Sequence, residues 1–180
     1  MVLVFLFAVH LTFIFLLSFW MWKKQRPGVR PYFWPALLVK LAAGIGLGLL
    51  YKYHYSVGDT FGFFEDAAVL SKIFWEDPFA YVSILVPRDD SDNIVNLLGN
   101  IQQRSLFLVK LVSGVNIITG NNYWLTSLYF SFVSFVSAFF LFEKVSTVFS
   151  ESKLAAAVAF LFFPSIVFWS SGIIKESLAM

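Results

Sequence analysis

From Met1 to Trp22 the chain carries no Asp, Glu, Lys or Arg. Crossing the hydrocarbon core of a bilayer takes about 20 residues, so this run predicts a membrane span over 1–22, with Trp20 and Trp22 at an interface. A secretory signal fits poorly. There is no basic N-terminal region, the run is too long, and no small-residue cleavage site follows. Further apolar runs predict spans over 33–52, 122–142 and 154–174, the last kinked or ended about halfway by Pro164. Lys40 sits near enough to one end of the second run to snorkel to its face. Between the second and third runs lies an outer loop, 53–121. Inside it Phe63, Ala67, Leu70 and Phe74 recur at i, i+4, i+7 and i+11, behind Asp59 and Thr60 as helix N-caps and before Pro78 as a stop. That spacing predicts an amphipathic helix with Glu65, Asp66 and Lys72 off its apolar face. Ile94, Leu97, Leu98 and Ile101 predict a second such helix over 93–103. The stretch 105–120 is broken by Lys110, Asn116 and Gly120. It reads as a helix in or near the membrane interface.

Composition agrees with the pattern. Of 180 residues, 59% are apolar, 20% aromatic and 13% charged, with a mean hydropathy of +0.77. Soluble domains carry about 25% charged residues, and disordered chains lack aromatics, so both classes are excluded in favour of a membrane-embedded one. The absence of cysteine excludes disulfides, thiolate metal sites and cysteine nucleophiles. A net charge of +2 gives no reason to expect a nucleic-acid partner. The placement of charge says more. Lys23, Lys24, Arg26 and Arg30 fill one short loop, which the positive-inside rule assigns to the cytoplasm, leaving the N-terminus outside. Eight of the eleven acids lie between 53 and 104, on the outer side by alternation. The loop 143–153, with two Lys and two Glu, only weakly favours the cytoplasm. The expected fold is all-α: one polytopic transmembrane domain of about four spans plus juxtamembrane helices, multi-pass in the plasma (inner) membrane. Four spans are few for an enzyme acting on a lipid-linked substrate, so the sequence is expected to be the N-terminal portion of a longer protein.

Few residues stand out chemically. Gly44, Gly46 and Gly48 follow no strand, so a phosphate-cradling loop is rejected, while Gly44-x-x-x-Gly48 suits close helix packing. Asp59 reads either as an N-cap or as a carboxylate held rigidly at the membrane surface, and both can hold at once. Asp89, Asp90 and Asp92 lack the spacing of a calcium loop. His10 and His54 have no partner at metal spacing. Glu176 follows an apolar run, where ionisable groups mark either function or pairing.

Three motifs share an order. They are Gly58-Asp59-Thr60-Phe61-Gly62-Phe63-Phe64, the turn Gly120-Asn121-Asn122-Tyr123-Trp124, and Phe163-Pro164-Ser165-Ile166-Val167-Phe168-Trp169-Ser170-Ser171-Gly172 with Lys175-Glu176. Over about residues 35–180 the chain resembles the GT-C membrane glycosyltransferases, in particular the bacterial relatives of protein O-mannosyltransferases and aminoarabinose transferases (glycosyltransferase family 39-like). The resemblance implies transfer of a sugar from a polyprenyl-phosphate donor to a sugar, lipid or protein acceptor on the extracytoplasmic face. Asp59 then matches the acidic residue of the first outer loop, which acts as general base or helps bind a divalent cation such as Mg or Mn. Glu65 and Asp66 are the alternative carriers, because the family often has two adjacent acids where this chain has Asp59-Thr60. Arg88, Arg104, Lys72 and Lys175, with Glu176, are the expected substrate-binding set around the leaving phosphate. Two other functions fit the composition: a transporter or flippase whose ionisable residues line a path, and a non-catalytic membrane subunit that packs through 44–48.

Overall fold

The computed structural model describes residues 2–55, 59–86, 98 and 105–177. Among them the structure is all-helical, with no strand. Long helices are α1 (Val2–Lys24), α2 (Arg30–Tyr53) and α6 (Tyr123–Val148). Shorter ones are α3 (Asp59–Glu76), α4 (Pro78–Leu85), α5 (Leu106–Thr119), α7 (Lys153–Ala157) and α8 (Pro164–Trp169). Among the described residues, α1, α2 and α6 are the three helices long and apolar enough to cross a membrane. Apart from Leu98, which is buried, the predicted helix over 93–103 lies outside the described residues, as do the acids Asp89, Asp90 and Asp92.

Backbone contacts divide the chain into two compact units, residues 1–47 with 127–180, and residues 48–126. The first unit is built around aromatic rings. Phe132, Phe135, Phe139 and Phe142 repeat on one face of α6 and are buried with Phe33 of α2. Phe33 meets Phe135 and Phe139 edge-on, each at 5.0 Å between ring centres. Lipid tails are as apolar as these side chains, so burial alone would not drive the helices together. Ring geometry and close packing supply the preference, about 0.5–1.5 kcal/mol per ring pair beyond area.

The basic end of this unit explains where its helices stop and start. Lys23 and Lys24 close α1 at the negative end of its dipole and lie over the rings of Phe19 and Trp20. Arg30 opens α2 over the ring of Trp22. Pro31 in the first turn costs no hydrogen bond, so α2 begins three residues before the predicted span. Arg26 donates to Thr147 Oγ1 at 2.9 Å and lies 3.8 Å from Glu143. The loops 23–30 and 143–153 therefore share one end of the unit. These contacts accompany the extension of α6 six residues past the predicted 142.

The predicted span over 154–174 is not a single helix. It comprises α7, a π-helical turn over Val158–Phe162, a break at Phe163 and the short α8. Pro164 lacks an N–H and pushes Phe163 into an extended conformation, with φ −66° and ψ 116°. Residues 170–174 are then non-helical and all buried. At membrane depth such backbone is tolerated only inside protein.

Lys40 corrects the snorkelling expectation. It is 4% exposed, and its ammonium donates to Ser170 Oγ, at the C-terminal end of α8. Ser170 Oγ in turn donates to the Ile166 carbonyl. Ser171 Oγ donates to Val167 O at 2.6 Å and to Lys40 O at 3.3 Å. The Gly172 N–H donates to Ser131 Oγ at 2.9 Å, with Gly172 at φ 75°, where a side chain would be strained. A cation at a helix C-terminus also suits the dipole, so Lys40 acts as a tether for the broken segment. His10 is buried against α6, its Nδ1 2.7 Å from the Tyr129 hydroxyl, which fits the packing role expected of it.

Candidate functional site

The unit formed by residues 48–126 holds most of the acids described. Its centre is α3, whose Phe63, Ala67 and Leu70 are buried as the spacing predicts, with Phe74 partly covered. Thr60 and Ser71 share the buried side. Asp77 ends this helix and starts the next. Its carboxylate accepts from the N–H groups of Phe79 and Ala80, at 3.0 and 3.1 Å, and Pro78 fills the first position of α4. Pro78 therefore stops one helix by beginning another, which the sequence pattern did not reveal.

α5 packs on α3. It ends at Gly120, with φ 62°, followed by Asn121, with φ 57°. Glycine and asparagine are the residues that adopt this left-handed conformation most readily. The N–H groups of Gly120 and Asn121 both reach the Asn116 carbonyl. Asn122 Oδ1 then accepts from the Leu125 N–H at 3.2 Å and caps α6.

Hydroxyls and amides join these elements. The Thr60 and Tyr123 hydroxyls lie 3.0 Å apart. Ser71 donates to Asn121 Oδ1 at 2.7 Å. Thr126 donates to Asn116 Oδ1 at 2.8 Å and lies 2.7 Å from Thr119 Oγ1. Tyr81 of α4 meets Ser113 of α5 at 2.9 Å. The Tyr123 ring stacks on Phe61, 4.2 Å between centres. Gly48 makes room for it. A Cβ there would lie 2.9 Å from both Tyr123 Cε1 and Trp124 Cζ3. The ends of α2, α3 and α6 thus meet at Gly48, Thr60 and Tyr123.

Asp59 stands at that junction. It is the first residue of α3 and is exposed, while its neighbour Thr60 is fully buried. Thr60 spends its hydroxyl on Tyr123 and is not the N-cap the pattern suggested. Glu65 is exposed, as expected. Asp66 is not on a solvated face: it is 2% exposed. It lies on the buried side with Phe63 and Ala67, in a helix that packs against both α4 and α5.

Arg88 and Arg104 lie outside the described residues. Lys175 and Glu176 are exposed in the short turn Lys175–Ser177 of the other unit. The structure therefore brings Asp59, Glu65 and Asp66 onto one helix and leaves Lys175 and Glu176 on a separate one-turn element. Among the described residues no three of His, Asp and Glu cluster to hold a metal ion.

Sequence reasoning missed Tyr123, Ser71, Asn116 and Thr126 as the fasteners of this unit. A signal was present. Asn116 and Thr119 interrupt an otherwise apolar run at i, i+3, which places both on one helix face. The chain matches no protein-family model, no curated protein and no solved structure.

Proposed function

We propose that this chain is a multi-pass membrane glycosyltransferase that moves a sugar from a polyprenyl-phosphate donor to an acceptor on the extracytoplasmic face. Its basic end, with Lys23, Lys24, Arg26, Arg30, Lys144 and Lys153 on two loops joined through Arg26, is the cytoplasmic end in this reading. In this reading the broken segment 154–174 makes the fourth crossing, and the loop 53–121 lies outside. The observation that carries the reading is Asp59: an exposed carboxylate fixed at the first turn of a packed helix, beside the ends of two apolar helices.

The chemistry asked of it is general-base catalysis. The acceptor hydroxyl gives its proton to the Asp59 carboxylate as its oxygen bonds to the sugar's anomeric carbon. The bond from that carbon to the donor phosphate breaks, and the phosphate leaves with the electron pair. A cation should stabilise that leaving group, and Arg88 and Arg104, in the same loop as Asp59, remain the proposed pair.

The test uses membranes containing the protein and a panel of polyprenyl-phosphate-linked sugars, following donor consumption. Asp59→Asn should lower it by about 100-fold or more, within the range of general-base contributions, at unchanged expression. Loss in Glu65→Gln or Asp66→Asn instead would move the role to that acid. Wild-type turnover in all three variants would refute the catalytic assignment. A transporter or flippase is the second reading, favoured by one observation: Lys40 is an ionisable group buried in an apolar helix, a position that often marks a transport path.

A further inference from the structure

The two faces of the unit formed by residues 48–126 differ in chemistry. The exposed residues of α3 include Asp59, Glu65, Lys72 and Glu76, with Val69 and Trp75 among them. The other two helices present almost nothing polar. α4 carries no charge, and while Tyr81 turns inward, Phe79 is 89% exposed, alongside Val82 and Val86. On α5 the exposed residues are Phe107, Leu111 and Ile118, one helical face by their spacing, with Phe107 69% exposed. Lys110, the charged residue of α5, is half-buried off that face.

We propose that this unit is seated in the bilayer on the outer faces of α4 and α5, leaving the charged side of α3 in water. Three observations select lipid as the occupant. The unit contains the end of α2 and the start of α6, both long and apolar enough to cross a membrane, so chain continuity puts it at a bilayer surface. Helices satisfy their own backbone groups, and these two faces offer only Ser83 for hydrogen bonding, where a protein interface would make about one bond per 100–200 Å². Trp75, at the end of α3 nearest α4, is 69% exposed, a large ring of the kind that aromatic belts use. α5, about 21 Å long, is too short to cross a core of about 30 Å, so it lies along or partway into one leaflet. The proposal rests on the membrane reading of α1, α2 and α6 but not on sugar transfer.

The chain has no cysteine, so single cysteines report cleanly. The full chain is placed in nanodiscs of phosphatidylethanolamine and phosphatidylglycerol, with spin labels at Phe79→Cys, Val82→Cys, Phe107→Cys or Leu111→Cys. Glu65→Cys and Lys72→Cys serve as controls. Collision with oxygen should exceed collision with a water-soluble nickel chelate at the first four positions by about tenfold relative to the two controls. A second measurement uses the unmodified protein and a lipid with a photoreactive tail. Cross-links should fall in 78–86 and 106–118 and be absent from the charged positions of α3. Labels on α4 and α5 that meet the nickel reagent would overturn the proposal, as would labels shielded from both reagents, which would indicate a second copy or another protein. Cross-links confined to α3 would overturn it too. Either failure leaves donor consumption by Asp59 a separate question.

Discussion

Gly44 and Gly46 lie two positions apart in α2 and meet different neighbours. A Cβ on Gly44 would fall on Ser131 Oγ, the hydroxyl that holds the Gly172 N–H. One on Gly46 would meet only Phe168, at 3.9 Å, an ordinary contact. Gly44→Ala should therefore destabilise by about 1–3 kcal/mol, the usual cost of overpacking, while Gly46→Ala should be close to neutral. Thermal unfolding in detergent checks the difference, and equal shifts would contradict it. The small-xxx-small spacing made Gly44 and Gly48 legible from sequence, since it needs only helical periodicity. The depth of Asp66 and the partner of Lys40 were not legible. Periodicity gives a residue's angle about its own helix, and Asp66 sits at the margin of the apolar arc. Whether that margin is buried depends on the helices that pack against α3, one of which, α5, begins 40 residues further on.

At the scale of elements, the segment 163–174 depends on its neighbours. It has no long helix of its own, and its polar groups are satisfied by α2 and α6 through Lys40 and Ser131. Lys40→Met keeps much of the side-chain volume and removes the donor. Ser170 keeps its bond to Ile166 O, so no hydroxyl proton is orphaned. Hydrogen bonds to charged groups contribute about 1.5–3 kcal/mol, and amide exchange over 170–174 should rise about tenfold or more. Exchange in α1 should stay unchanged. No change at 170–174 would mean that Lys40 tethers nothing. Pro164 announced a break in the sequence, and the break is there. The π-helical turn before it was not foreseeable from an apolar run, because hydrophobic residues satisfy a π-turn and an α-turn alike. α4 was hidden for a different reason: Asp77-Pro78 is both a stop and a start signal, and only the stop was read.

For the whole molecule, the proposed orientation rests on charge placement. The Arg26 contacts with Glu143 and Thr147 gather the basic residues of two distant loops at one end of their unit. If those charges set orientation, replacing Lys23, Lys24, Arg26 and Arg30 together by Glu should invert or scramble insertion. A single cysteine introduced at Gly28 would report it, since a membrane-impermeant thiol reagent should label it from outside only in the variant. Labelling from outside in the parent would reverse the assigned orientation. The helical class and the three long apolar helices were readable from hydropathy alone. The division into two compact units was not, because it falls inside α2 and α6, where the sequence shows no change of composition.

The tether at Lys40 also bears on biosynthesis. A chain enters the bilayer in the order it is translated, so α2 and α6 are in place before residues 163–174 leave the ribosome. Ser170, Ser171 and the Gly172 N–H would be costly in lipid by themselves. They emerge instead beside a lysine and a serine already waiting for them. The last piece of the unit is assembled on a template made by the first, and until it arrives Lys40 stands in the membrane without its hydroxyl.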